Sequence, residues 1–88
     1  MPSPRSLFQT AVDANVPRQT RETAINGLAM AGATTQLRVI VVTSGLAGPY
    51  RRQALSALDL CGATDELERL AADSSLHRSL RKQAEALV

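Results

Sequence analysis

The stretch LAMAGAT at residues 28–34 recurs as LDLCGAT at residues 58–64, thirty positions further along the chain. The same spacing matches Leu7 with Leu37 and Leu67, Val16 with Leu46 and Leu76, Arg21 with Arg51 and Arg81, and Ala24 with Ala54 and Ala84. A register that needs no insertion or deletion between copies rarely arises by chance. The sequence therefore predicts that residues 1–88 form one domain of three repeats, at about 3–32, 33–62 and 63–88.

Each repeat predicts two helices. In the middle copy the apolar residues fall at helical spacing in two blocks, Leu37, Ile40 and Val41, then Ala54, Leu55, Leu58 and Cys61. We predict first helices at about 4–14, 34–45 and 64–74, and second helices at about 17–31, 48–61 and 77–87. Because the connections are short, neighbouring helices should pack antiparallel. The expected fold class is all-α, a right-handed α-solenoid of three helical hairpins.

One segment opposes this interpretation when it is considered alone. Val39–Val42 is a β-branched run, and such runs favour strands. The equivalent segments 9–12 and 69–72 have no such bias, and one copy cannot change secondary structure without losing its stacking on the others. We therefore expect a helix here too.

Glycine and small polar residues mark the predicted helix ends. Gly32 and Gly62 stand where a left-handed residue would end the second helix. Thr34 and Thr64 follow closely enough to cap the next helix, and Ser75 is expected to cap the last second helix. In the middle repeat, the second helix should open with Gly48 as its N-cap and Pro49 in the first turn.

Composition excludes several classes of stabilisation and chemistry. A single cysteine and a single histidine cannot make an internal disulfide or an ordinary zinc site, so we expect no metal and no cofactor. The longest strongly apolar run, Val39–Val42, is too short to span a bilayer, and residues 1–10 contain no apolar signal-type segment. The expectation is a soluble cytoplasmic protein with no membrane partner.

The second-helix pattern resembles that of short HEAT-like repeats of about thirty residues, the type found in phycobilisome-lyase relatives. Its positions are occupied by Asp13, Arg21, Ala24, Leu28 and Gly32; by Arg51, Ala54, Ala57, Leu58 and Gly62; and by Asp73, Arg81 and Ala84. Thr43 replaces the family's aspartate in the middle copy. The resemblance implies the fold but leaves function open, because such arrays bind proteins, nucleic acids and occasionally enzyme substrates.

Cations gather at the starts of the predicted second helices. Stacking would align them about 8–10 Å apart, near helix N-termini whose dipoles favour anions. The candidate partner-binding residues are Arg18, Arg52, Arg78, Lys82 and Tyr50. At the family's ladder position, Arg21, Arg51 and Arg81 are expected to pair with Asp13, Asp73 or turn carbonyls, with ligand binding as the alternative.

Three residues remain open to more than one interpretation. Tyr50 could anchor an interface or be partly buried beside the helix start. Phe8 could fold over the open first repeat or contact another chain, so self-association through the end repeats stays possible. His77 follows Asp73 within a single turn, and that adjacency is not the geometry of a catalytic triad, so we expect no enzyme activity.

Two functions compete on this basis. The first is a non-catalytic interaction or scaffold module that binds an acidic protein partner through the second-helix face. The alternative is phosphate-directed nucleic-acid binding through the same cations. The net charge of +2 and the presence of only two aromatic residues, Phe8 and Tyr50, argue against stacking of bases on a single strand.

Overall fold

The computed structural model describes residues 2–88, which contain six helices and no strand. The helices are α1 (Pro4–Val12), α2 (Arg18–Met30), α3 (Thr34–Val42), α4 (Gly48–Leu60), α5 (Thr64–Ala71) and α6 (Arg78–Leu87). Each lies within its predicted range, and the β-branched run Val39–Val42 is helical, as the repeat register predicted. The odd-numbered helices end two or three residues earlier than predicted.

A tight turn explains the early ends of the odd-numbered helices. In each repeat the amide of the fourth residue of this turn donates to the carbonyl of the first, at 3.1 Å: Val16 to Asp13, Leu46 to Thr43, and Leu76 to Asp73. Four residues are consumed by this turn, so the helix must stop before it. The residue after the turn has an extended backbone and precedes the even-numbered helix.

The helices pack in a regular order. Each even-numbered helix lies against the odd-numbered helix before it, and α4 lies between α2 and α6. Helix α3 also contacts α1 and α2, and α5 contacts α4. The whole measures 32 × 24 × 16 Å.

The buried positions follow the thirty-residue register. Leu28 and Leu58 are both 0% exposed, as are Ile25 and Leu55. Glu85 occupies the register of Ile25 and Leu55 and is exposed, since no helix covers α6 on that side among the described residues. At the other end, Phe8 is half-buried and packs against the core, as in the first of its two expected arrangements.

The predictions for Gly32 and Gly62 are confirmed. Gly32 and Gly62 have φ of 65° and 67°, a backbone region in which a side chain is strained. Around Gly32, the Ala33 amide donates to the Leu28 carbonyl at 2.9 Å and the Gly32 amide donates to the Ala29 carbonyl at 3.1 Å. This is a Schellman ending, and residues 58–63 repeat it.

Several predicted N-caps are wrong. The N-caps of α3 and α5 are Ala33 and Ala63, which have no side chain that could accept a hydrogen bond. Directly after the Schellman bonds, Thr34 and Thr64 are already the first helical residues and therefore cannot be the caps. Ala47 is the N-cap of α4, so Gly48 is already inside the helix.

Ser75 does not cap α6 either. Its amide and hydroxyl both donate to Asp73 Oδ1, at 2.9 Å and 2.6 Å, so Ser75 is held in the preceding turn. His77 is the N-cap instead, and its Nδ1 accepts a hydrogen bond from the Ser79 amide at 3.2 Å. Histidine can do this through the unprotonated ring nitrogen.

Candidate functional site

Two of the ladder arginines bind the ends of the odd-numbered helices. Arg21 Nε donates to the Ala11 carbonyl at 2.9 Å, and Arg51 Nε donates to the Val41 carbonyl at 2.7 Å. Both acceptors lie in the last turn of their helix, where carbonyls have no partner within the helix and the helix dipole is negative. The guanidinium groups therefore join the two helices of a repeat.

The expected ion pairs between aspartate and ladder arginine are not formed. Asp13 Oδ1 accepts from the Asn15 amide at 2.9 Å, and Asp73 is bonded to Ser75. These local bonds hold both carboxylates inside their own turns. Within residues 2–88, the one direct ion pair is Arg18 Nε with Glu22 Oε2, at 3.2 Å.

The third ladder arginine, Arg81, does not bind the end of a helix through Nε. This nitrogen is buried and has no hydrogen-bond partner among residues 2–88, although Ala71 occupies the register of Ala11 and Val41. An unsatisfied buried donor costs free energy, so this arginine is not used as its two counterparts are. The helix before it also differs, since α5 ends at Ala71, one register position before the ends of α1 at Val12 and α3 at Val42.

Tyr50 lies in the core rather than at the surface. It is 8% exposed, and the guanidinium carbon of Arg21 lies 4.1 Å from the centre of its ring. Leu80 occupies the same register in the next repeat and is 3% exposed. Tyr50 is therefore unavailable as a surface anchor, because α2 supplies a cation that covers one face of its ring.

Glutamine side chains connect the even-numbered helices, a feature that the sequence analysis missed. Gln53 Nε2 donates to the Glu22 carbonyl at 2.9 Å and to Asn26 Oδ1 at 3.1 Å. Gln83 Nε2 makes the equivalent bond to the Arg52 carbonyl at 3.2 Å. The signal was present in the sequence, since the two glutamines are thirty residues apart, but Thr23 at the first position obscured it.

The four other candidate cations are exposed, and they fall into two grooves. Arg18 and Arg52 line a groove that Gln53 crosses and that also contains Glu22. Arg78 and Lys82 line a second groove with Arg81. The structure thus brings the candidates together in pairs rather than in one continuous stripe, and Glu22 offsets part of the charge of the first pair.

Arg52 also lines a third cleft, between the N-terminal ends of α4 and α6. Its Nη1 lies only 2.9 Å from the point where a Cβ on Gly48 would stand, so its guanidinium folds back over the helix start. Arg51 and His77 line the same cleft, and Ser79 and Leu80 complete it. Two guanidinium groups therefore converge where two helices begin.

In the turn before α6, hydrogen bonds from Ser75 change the pKa of Asp73. The hydroxyl of Ser75, followed by its amide, holds the pKa of Asp73 below its ordinary value because both donate to the carboxylate. The ring of His77 is bonded to Ser79 at 2.9 Å, and neither Asp73 nor Ser75 hydrogen-bonds to it. These residues are neighbours in sequence without forming a proton relay.

No known protein family, curated protein or solved structure matches the chain. Between Pro2 and Val88, no helix combines the length and apolar character needed to cross a membrane. Over the same residues, no three His, Cys, Asp or Glu side chains gather as they would around a metal ion.

Proposed function

We propose that the protein is a non-catalytic docking module that binds an acidic protein segment through the cations of its even-numbered helices. The observation that carries the proposal is the pairing of exposed cations at successive helix starts. Arg18 and Arg52 share one groove, while Arg78 and Lys82 share the next. Carboxylates that run across these helices would meet a cation at each step.

The proposed surface is held in place by hydrogen bonds between the helices. Gln53 and Gln83 fix α4 against α2 and α6 against α4 through backbone carbonyls. Arg21 and Arg51 fix each even-numbered helix to the odd-numbered helix before it. A surface arranged before binding loses less entropy on association, which favours affinity.

We propose that the helices form a right-handed α-solenoid of three HEAT-like hairpins, with the even-numbered helices as the binding layer. The common packing of α2, α4 and α6 in chain order supports this arrangement. So does the thirty-residue offset of equivalent contacts, since Gln53 and Gln83 both reach a carbonyl 31 residues earlier. In such arrays each repeat contacts only its neighbours.

Nucleic-acid binding is the less favoured function. Tyr50 is buried and Phe8 is half-buried against the core, so neither ring stands free for bases to stack on. The net charge is only +2, and Glu22 stands inside the groove of Arg18 and Arg52. Any binding would be to phosphates alone and would weaken steeply with salt.

The test compares a fluorescent glutamate-rich peptide with a duplex DNA of similar charge, by anisotropy at low and at physiological salt. We expect the peptide to bind, and the double variant Arg52→Glu, Arg78→Glu to weaken it by about tenfold or more, or about 1.4 kcal/mol. The double variant Arg5→Glu, Arg69→Glu is the matched control, because both arginines are exposed and line neither the two grooves nor the cleft.

The same measurement can overturn the proposal. Equal peptide affinity for the Arg52→Glu, Arg78→Glu variant and the wild type would show that the grooves do not bind the peptide. Tighter binding of duplex DNA than of the peptide would replace the acidic protein with a nucleic acid as the partner.

A further inference from the structure

The cleft between the starts of α4 and α6 differs from the equivalent region one repeat earlier in the residue that stands beside the ladder arginine. Between α2 and α4, the ring of Tyr50 fills the space beside the guanidinium of Arg21. Between α4 and α6, Leu80 stands in place of the tyrosine and Arg51 in place of Arg21. Beside Arg51, where no ring stands, the cleft has a volume of about 280 Å³.

Arg51 is oriented for a ligand in this cavity. Its Nε is bonded to the Val41 carbonyl at 2.7 Å, and among the described residues that bond is the only hydrogen bond of its side chain. The guanidinium is therefore held through Nε, while its two Nη groups have no hydrogen-bond partner among the described residues. A guanidinium held in this way loses little entropy when it binds an oxyanion.

Arg52 and His77 supply further donors to the cleft. Arg52 places a second guanidinium over Gly48. The Ser79 hydroxyl lies 2.9 Å from His77 Nδ1 and donates to it. The ring of His77 accepts the Ser79 amide at Nδ1, so the hydrogen of the neutral ring is on Nε2, where it can be donated. Leu80, which is 3% exposed, forms an apolar wall that strengthens electrostatic contacts beside it.

We infer that this cleft binds the phosphate group of a phosphorylated serine or threonine in the protein partner. The inference rests on the proposed function, since the phosphorylated side chain would belong to the acidic segment that crosses the even-numbered helices. A phosphate monoester carries up to two negative charges and three terminal oxygens. Two guanidinium groups and an imidazole N–H supply more donors than the two oxygens of one carboxylate can accept.

The experiment uses the full chain and two kinds of probe. Inorganic phosphate is titrated in amide NMR spectra, where Gly48 and Ser79 should shift most because both line the cleft. Two peptides of one sequence, with serine or phosphoserine at the centre, are compared by anisotropy. We expect the phosphorylated peptide to bind about tenfold more tightly or better, in line with charge-assisted hydrogen bonds.

Leu80→Tyr is the decisive variant, because it restores the ring found in the preceding repeat while leaving every charge in place. It should abolish both the phosphate-induced shifts and the preference for the phosphorylated peptide. Arg52→Gln changes an exposed residue and provides the same test if Leu80→Tyr does not fold. Arg78→Gln is the control, because it removes a cation from the neighbouring groove and should leave the preference intact.

The outcomes separate this inference from the proposed function. If the glutamate-rich peptide binds but phosphate gives no shifts at Gly48 and Ser79, the phosphate site is wrong and the docking module stands. An unchanged preference in Leu80→Tyr or Arg52→Gln also overturns the site. If neither peptide class binds, both proposals fail, and displacement of phosphate by duplex DNA would assign the cleft to a nucleic acid.

Discussion

The guanidinium carbon of Arg21 lies 4.1 Å from the centre of the Tyr50 ring, and the same side chain donates through Nε to the Ala11 carbonyl. Arg21 therefore connects three helices, because it belongs to α2, Ala11 to α1 and Tyr50 to α4. Arg21 is only 8% exposed, and no carboxylate within residues 2–88 forms an ion pair with it. A helix-end carbonyl and a ring face, both electron-rich, replace the water that this cation loses on burial.

Replacement of Tyr50 by leucine should destabilise the protein, because the ring that faces Arg21 and the packing it provides are both lost. We expect the free energy of unfolding to fall by about 2 kcal/mol, the magnitude of a desolvated cation–π contact. Tyr50→Phe is the control and should change stability by less than about 0.5 kcal/mol, since it keeps the ring. Urea unfolding measures both, and equal losses in the two variants would contradict the role of the ring.

Arg21→Met and Arg81→Met should differ, although the two arginines share one register position. The first removes a buried charged hydrogen bond and should cost about 1.5–3 kcal/mol of unfolding free energy. The second removes a buried Nε that has no acceptor, so it should be neutral or stabilising. Thermal unfolding of the two variants side by side is the measurement. A loss for Arg81→Met as large as that for Arg21→Met would mean that Arg81 has a partner in solution.

Gln53→Met should weaken the contact between α2 and α4. Methionine keeps the length of the side chain but cannot donate to the Glu22 carbonyl, so we expect a loss of about 1 kcal/mol. Thr23→Met is the matched control at the same register, where the hydroxyl bonds only within α2, and its effect should stay below about 0.5 kcal/mol. Chemical unfolding compares the two, and a similar cost at both positions would argue against the glutamine bond.

Ser75→Ala should raise the pKa of Asp73 toward its ordinary value, because the serine hydroxyl is the largest cause of the lowering. Since the folded pKa of Asp73 lies below the unfolded one, its contribution to stability is present above the unfolded pKa. That contribution is lost as the pH falls through the folded pKa. The variant should therefore lose less stability on acidification than the wild type.

Carboxyl NMR titration follows the pKa of Asp73 directly, and thermal unfolding across an acidic pH series follows its effect on stability. Ser74→Ala serves as the control, because Ser74 is an exposed neighbour that makes no bond to the carboxylate. An Asp73 pKa that does not move in Ser75→Ala would show that the hydroxyl bond is absent in solution.

The sequence alone determined where the six helices lie and how α2 and α4 end. Buried helices show apolar residues at the helical period, and the repeat shows each position in three copies. The other two copies therefore allowed Val39–Val42 to be assigned to a helix against its own propensity. The left-handed ends at Gly32 and Gly62 were predictable for a similar reason. A positive φ is a local steric matter, and glycine is the residue that tolerates it.

Only the tertiary structure decided which partner each polar side chain takes. The helical period places Tyr50, Arg21 and Gln53 on a face, but whether a ring, a carbonyl or a carboxylate stands opposite depends on how the neighbouring helix is packed. Arg21 donates to the Ala11 carbonyl at the end of α1 and not to Asp13, whose carboxylate accepts from the Asn15 amide. Hydrogen bonds and cation–π contacts act over a few ångströms across helix interfaces, a scale that sequence periodicity does not resolve.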